Sequence, residues 1–229
     1  MTEEFRDLIK KGLVPDIFKM ERAYHLHKVI GDNADTLNEY ANGNFGELFG
    51  TVQAAMESEA VLAVARVYDT PRRHPTRCIR RALELMEHNS EQLPEIVDAY
   101  NAQLDLEKFG ASAEIVQSAS LGKAKFIPLY VPYIRQILDS EEVRSKVMRL
   151  KDLRDKCYAH NDLASFSGPT WDELNELIVQ AQQFVSVIGS AFFSTAYTID
   201  NSYSLSSDAQ KPSRALNRLA TLLSQGDYQ

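Results

Sequence analysis

Arg154 and His160 are the two residues of this chain whose types and spacing best suit chemistry on a phosphate. They lie in the segment Leu153-Arg154-Asp155-Lys156-Cys157-Tyr158-Ala159-His160-Asn161-Asp162. A neutral imidazole takes or gives a proton near neutral pH. A guanidinium is a permanent cation whose planar fork matches phosphate oxygens. Together they can cut a phosphodiester without a metal. His160 would act on the ribose 2′-hydroxyl or the leaving 5′-oxygen, and Arg154 would stabilise the charge that builds on the phosphoryl group. Asp155 and Asn161 flank the pair and are candidates to orient it.

The spacing leaves alternatives open. On a helix turning ~100° per residue, Val143, Val147, Leu150, Cys157 and Tyr158 share one face, with Arg154 in its middle. An arginine there needs an anionic or polar partner: an internal carboxylate or a substrate phosphate. On the same straight helix His160 points ~120° away from Arg154. The two converge only if the helix ends near Ala159 or if a second subunit supplies one of them. The bland account makes His160 a residue interacting with a helix C-terminus and Arg154 half of an ion pair.

The elements that must position these residues read as helices. Apolar residues at helical spacing mark about 17–41 (Ile17, Met20, Tyr24, Ile30, Leu37) and about 46–68 (Phe49, Val52, Met56, Leu62), the second ending before Pro71. Residues 76–88 and 91–109 read as two more, with 110–127 a short helix and a loop. Pro128 and Pro132 are expected to break the chain before Tyr133. Asp139 with Glu142 reads as a capping box opening a helix to about Tyr158. Thr170 with Glu173 reads as a second, starting a long helix from Trp171 to about Tyr197. A polar connector follows, then an amphipathic helix carrying Leu216, Leu219, Leu222 and Leu223. This pattern predicts an all-α bundle of four to five core helices with additional ones. Its organisation is a domain over 1–199, then a connector and short C-terminal helix over 200–229.

Composition bounds the rest. The 229 residues are 44% hydrophobic and 25% charged, ordinary for a globular chain. Cys78 and Cys157 stand far apart and read as free thiols. The charged start, Met1-Thr2-Glu3-Glu4, does not read as a secretory leader, and no run has the length and apolarity of a membrane span, so a cytoplasmic protein is expected. The net charge of −7 speaks against indiscriminate nucleic-acid binding, which a basic surface supplies. It permits an acidic regulatory partner of another protein. No Walker loop, GxGxxG or metal-spaced Cys/His set is present, so neither a metal nor another cofactor is expected. His25 and His27 diverge on a helix, which disfavours a metal there.

Other residues carry two readings each. Glu59, Arg66 and Asp69 share one side of the second long helix, where they form a salt-bridge set or orient the motif and touch substrate. The run Arg72-Arg73-His74-Pro75, continued by Arg77, Arg80 and Arg81, is a solvated charge cluster or a phosphate contact. His88 reads as a helix C-terminal residue and Trp171 as a core plug.

The segment 153–162 resembles the signature of HEPN domains (higher eukaryotes and prokaryotes nucleotide-binding). That signature is Arg, a polar residue, three to five further positions, then His. It is most similar to the branch associated with abortive infection, in which the motif reads Arg-Asp-Lys, two residues, Ala-His. Leu62-Ala63-Val64-Ala65-Arg66-Val67-Tyr68-Asp69 resembles an upstream helix of that branch. The resemblance implies a bundle that dimerises through its motif helices, placing a composite site between two subunits. It implies a metal-independent endoribonuclease, with RNA as substrate, acting as a toxin or phage-defence effector. An antitoxin or defence-system partner would accompany it. Arg154 would hold the scissile phosphate and His160 would be the general acid or base. Arg66, Asp69 and Tyr158 are weaker substrate-binding candidates. Some relatives carry a tyrosine two positions after the His as a site of nucleotidylation; here that position is Asp162. The rival reading is a non-catalytic helical subunit that binds nucleotides or partners.

Overall fold

The computed structural model describes residues 3–39, 44–70, 76–155, 168–199 and 202–225. The chain folds as an all-α bundle. A short helix, α1 (Glu3–Asp7), passes through a π-helical segment, Leu8–Leu13, into α2 (Val14–Asp32). Then come α3 (Ala34–Glu39) and the long α4 (Asn44–Val67). Two cross-links fix α2 and α4 as antiparallel neighbours. Arg66 at the end of α4 forks onto Asp16 at the start of α2 (Nη2–Oδ1 2.9 Å). Gln53 earlier in α4 donates to the His27 carbonyl late in α2 (3.2 Å).

The helix expected over 91–109 is divided. After α5 (Ile79–His88) and a 3-10 turn at Ser90–Gln92, Leu93 is extended (ψ 148°). Pro94 explains this, since a residue before proline is forced out of the α region. The helix resumes as α6 (Ala99–Lys108), whose N-cap Asp98 accepts from the Asn101 N–H. Residues 110–127 do hold a short helix, α7 (Ala113–Ser118), and a turn that reverses at Gly122 (φ 88°).

The expected break at Pro128 and Pro132 does not occur. Helix α8 runs unbroken over Lys123–Asp139. Each proline removes one N–H and so leaves the carbonyl four residues earlier without its helical partner. Here both prolines and Ala124 are exposed residues, so solvent is at hand for the orphaned groups. The opposite face buries Phe126, Ile127, Tyr130, Val131, Ile134 and Leu138. At about 1.5–3 kcal/mol per buried apolar side chain this outweighs two proline interruptions of about 3 kcal/mol each.

Next come α9 (Glu141–Leu153), which carries the motif at its end, and α10 (Trp171–Phe193). The capping box of α10 forms as read: Thr170 Oγ1 accepts from Glu173 N (3.2 Å) and Glu173 Oε2 from Thr170 N (2.8 Å). Its end comes earlier than Tyr197 because Ser194 turns left-handed (φ 49°) and the chain doubles back. Gly189 permits this, since a Cβ there would lie 2.5 Å from the Tyr197 ring and 2.6 Å from the Thr195 carbonyl oxygen. A two-stranded antiparallel pair, β1 (Thr198–Ile199) with β2 (Ser202–Tyr203), straddles the boundary drawn at 199/200 and reaches into the stretch read as a polar connector. After α11 (Ser206–Ala209), α12 (Lys211–Gln225) buries Leu216 and Leu223 in a second cluster with Ile30 and Leu37. Leu219 and Leu222 stay largely exposed.

Helix α10 is the axis of the main core. Tyr68 at the end of α4 donates its hydroxyl to the Leu177 carbonyl (2.6 Å). Ser190 donates to the buried Asp105 of α6 (2.9 Å), and Gln182 to the buried Glu21 of α2 (2.9 Å). Trp171, read as a core plug, is only partly buried: it packs against the edge of the core, stacked on His27 at 3.8 Å between ring centroids and leaning on Tyr24. No described helix is long and apolar enough to cross a membrane.

Candidate functional site

Helix α9 brings the motif to the rim of the bundle. Its N-cap is Ser140, whose hydroxyl accepts from Val143 N (3.3 Å), rather than Asp139 as the sequence suggested. Asp139 instead takes an ion pair from Arg80 of α5 (2.7 Å). Only Val143, Lys146 and Leu150 of α9 are buried. Polar ties to α10 make up for the narrow apolar face. Lys146, 7% exposed, bonds Glu142 one turn back and Glu176 of α10, and Arg149 bonds Glu173 (2.5 Å).

Arg154 stands at the C-terminal end of α9 with 28% of its side chain exposed. It is therefore neither sealed in the core nor loose in solvent. Its Nε donates to Asp155 Oδ1 at 2.6 Å. That hydrogen bond is the main reason its guanidinium holds its proton more tightly than usual, with the charges of Asp155 and Asp69 adding to it against partial burial. Asp69 belongs to the turn after α4, so two acids from different parts of the chain act on one arginine. The end of α4 meets the same turn of α9 through Lys151, which lies 3.7 Å from Asp69 and donates to Thr70 Oγ1 (3.4 Å).

His160, Asn161, Tyr158 and Cys157 lie outside the described residues, as do Arg72, Arg73 and His74. The chain departs at Asp155 and returns at Gly168, where a Cβ would lie 2.7 Å from Leu153 Cδ2. The return is thus packed against the same turn of α9 from which the chain left. The described residues that flank the segment bearing His160, Asp155 and Gly168, both lie at the last turn of α9.

The remaining candidates separate. Arg66 and Asp69 do not act together: Arg66 reaches α2, where Asp16 takes both its Nε and Nη2, while Asp69 faces α9. The basic run divides too. Arg77 donates to the Lys11 carbonyl (3.2 Å), Arg81 holds Glu4 and Glu84, and Arg80 alone faces α9. His88 bonds the Glu84 carbonyl through Nδ1 (2.8 Å), as a helix-terminal residue should. Cys78 is a buried free thiol, and burial raises its pKa. Burial also lowers the pKa of His25 and of His27, so both imidazoles favour the neutral form. Among the described residues no group of three or more His, Cys, Asp and Glu is arranged to hold a metal ion.

Sequence reasoning passed over Arg144 and Lys151. Seven positions apart, they lie within ~20° of one line along α9, Lys151 about one turn before Arg154 and Arg144 nearly three turns before it. With Arg80 they face a cavity of about 360 Å³ between α9, α5 and the end of α4. The i, i+7 spacing on the motif helix was the available signal.

No curated protein and no solved structure matches the chain. A family model does: the one described as AbiU2, of the HEPN group, matches residues 3–213. The chain belongs to this family.

Proposed function

We propose that this member of the AbiU2 family is a metal-independent endoribonuclease of an abortive-infection or toxin–antitoxin system, active as a homodimer. Arg154 binds the scissile phosphate of an RNA strand. His160 takes the proton of the ribose 2′-hydroxyl, whose oxygen attacks phosphorus, or returns a proton to the departing 5′-oxygen. The P–O5′ bond breaks, leaving a 2′,3′-cyclic phosphate and a 5′-hydroxyl. Asp155 holds Arg154 in place through the 2.6 Å bond, and Asn161 orients His160. Asp69 contributes to substrate contact at the same rim, while Tyr158 and Arg66 are minor contributors. Two motif helices, one from each subunit, complete the site.

The observation that carries this reading is the state of Arg154. Its exposure does not set it apart, since the ion-paired Arg80 and Arg81 are each 29% exposed; its position does. Arg154 ends a helix, is 28% exposed, and follows Leu153, against which Gly168, the first described residue after the segment bearing His160, packs. The alternative, a non-catalytic nucleotide- or partner-binding subunit, draws on the same Asp155 bond, which already gives the guanidinium an anion.

Product chemistry tests the proposal. Purified protein in excess EDTA should cut an RNA oligonucleotide to 2′,3′-cyclic phosphate and 5′-hydroxyl ends, read by mass spectrometry. A single 2′-deoxy residue at the cut site should abolish that cut. Cleavage that persists at the deoxy position, or that leaves 5′-phosphates, rejects the mechanism.

A further inference from the structure

The surface beside Arg154 is unusual for so acidic a chain. The 360 Å³ cavity carries Arg80, Arg144 and Lys151 on its walls, and among the described residues no carboxylate lines it. Its apolar share comes from Ile79, Val147 and Met148 among others, and Met148 is 62% exposed. A large exposed apolar side chain next to clustered cations suits a ligand that is anionic at one end and flat and apolar at the other. Arg80 and Lys151 are ion-paired with Asp139 (2.7 Å) and Asp69 (3.7 Å). Arg144 is exposed and makes no ion pair among the described residues.

Arg144 and Met148 also form the wall of a second depression, of about 500 Å³, on their other side. That one is lined by Asp139, Glu141 and Asp152 against Arg144 and Arg149. One side of the wall therefore attracts a phosphate and the other opposes it. A strand passing Arg154 is directed one way.

We infer that the cavity between Arg80, Arg144 and Lys151 is a subsite that seats a nucleotide flanking the one cut, its phosphate on Arg144 and Lys151 and its base against Met148. This rests on the endoribonuclease reading, which places the scissile phosphate at Arg154, about one helical turn from Lys151 and nearly three from Arg144. A cavity of this volume holds one nucleotide, so the subsite fixes the strand's register and polarity rather than gripping a long duplex.

Binding of a 2′-O-methyl RNA oligonucleotide, which lacks the attacking hydroxyl, separates seating from cleavage. Binding is read by fluorescence anisotropy. Arg144→Ala should weaken binding about threefold to tenfold and flatten the slope of log affinity against log salt by about 0.7, the loss of one phosphate contact on a single strand. Arg144→Glu should weaken it further and Met148→Ala less. Lys11→Ala, which removes a charge remote from α9, should bind as wild type does. Thermal melting of each variant guards against loss of fold, which the exposure of Arg144 makes a small concern.

Unchanged binding in Arg144→Glu overturns the inference, as does a wild type that binds no oligonucleotide. Adenosine monophosphate distinguishes the source of the phosphate. If it saturates the site with Arg144-dependent affinity and the oligonucleotide binds no tighter, the cavity takes a free nucleotide and strand seating is wrong. The two proposals fail separately. Arg144-dependent binding without any cleavage sinks the nuclease and leaves the subsite; cleavage untouched by Arg144→Glu sinks the subsite and leaves the nuclease.

Discussion

Helices α9 and α10 lie side by side, joined by Lys146–Glu176 and Arg149–Glu173, and are built on opposite principles. In α10 every residue from Phe184 to Phe192 is buried, so that stretch is apolar or small on all sides and lies inside the core. In α9 three of thirteen residues are buried, and one of those is a lysine. The first helix holds the fold; the second holds charges at its edge. A site that must admit an anion cannot be carried on a fully buried helix, because an unpaired cation there would be costly. The division leaves Arg144 exposed and Lys151 and Arg154 partly exposed on α9 and at its end, while α10 supplies the stability they do not.

The difference can be tested by injuring each helix in turn. Phe184→Ala, in the middle of α10, should cost about 3–5 kcal/mol by the cavity it leaves, measured by urea denaturation, whereas Met148→Ala on α9 should stay within about 0.5 kcal/mol. Similar losses from the two would erase the contrast. Lys146→Ala should cost about 1–2 kcal/mol, because the packed stem is lost while Glu142 and Glu176, both more than half exposed, recover water. A loss on the scale of Phe184→Ala would mean that α9 carries core stability through its charges. Thr170→Ala should cost about 1 kcal/mol through the lost cap of α10, visible as a lower melting temperature.

The smallest effect is a pH dependence set on α2, beneath Trp171. Burial holds His25 and His27 below 6.5 in the fold. Between that lowered value and 6.5 the unfolded chain binds protons that the folded chain refuses. Stability therefore falls as pH drops through that window and is unaffected by these groups above it. His27→Gln should flatten the decline between pH 7 and 5.5, read as the change in urea midpoint; an equally steep decline would assign it to other groups.

What was legible in the sequence follows from how local each cause is. The Thr170–Glu173 box and the apolar spacing of α2 and α4 are decided within a few residues and could be read directly. The Leu93-Pro94 break was equally local and was passed over for the apolar run around it. The course of α8 through Pro128 and Pro132 was not readable, because it depends on both prolines facing water, a fact of tertiary packing. Asp139 looked like a cap, yet Ser140 next to it serves, and Asp139 is taken by Arg80 from another helix. The same non-locality hid the cationic cavity. Arg80, Arg144 and Lys151 each resemble an ordinary surface charge, and only the meeting of α5 with α9 sets them around one space. Arg154 was legible as an arginine in need of an anion, and the carboxylates acting on it are Asp155, its neighbour, and Asp69 from the turn after α4.

The central claim is that Arg154 and His160 act on one phosphate, and the rate of RNA cleavage by His160→Ala, measured beside wild type with matched melting temperatures, tests it most directly. The account predicts a loss of about 100-fold or more, the contribution of a positioned general acid or base. Cleavage at the wild-type rate would contradict it.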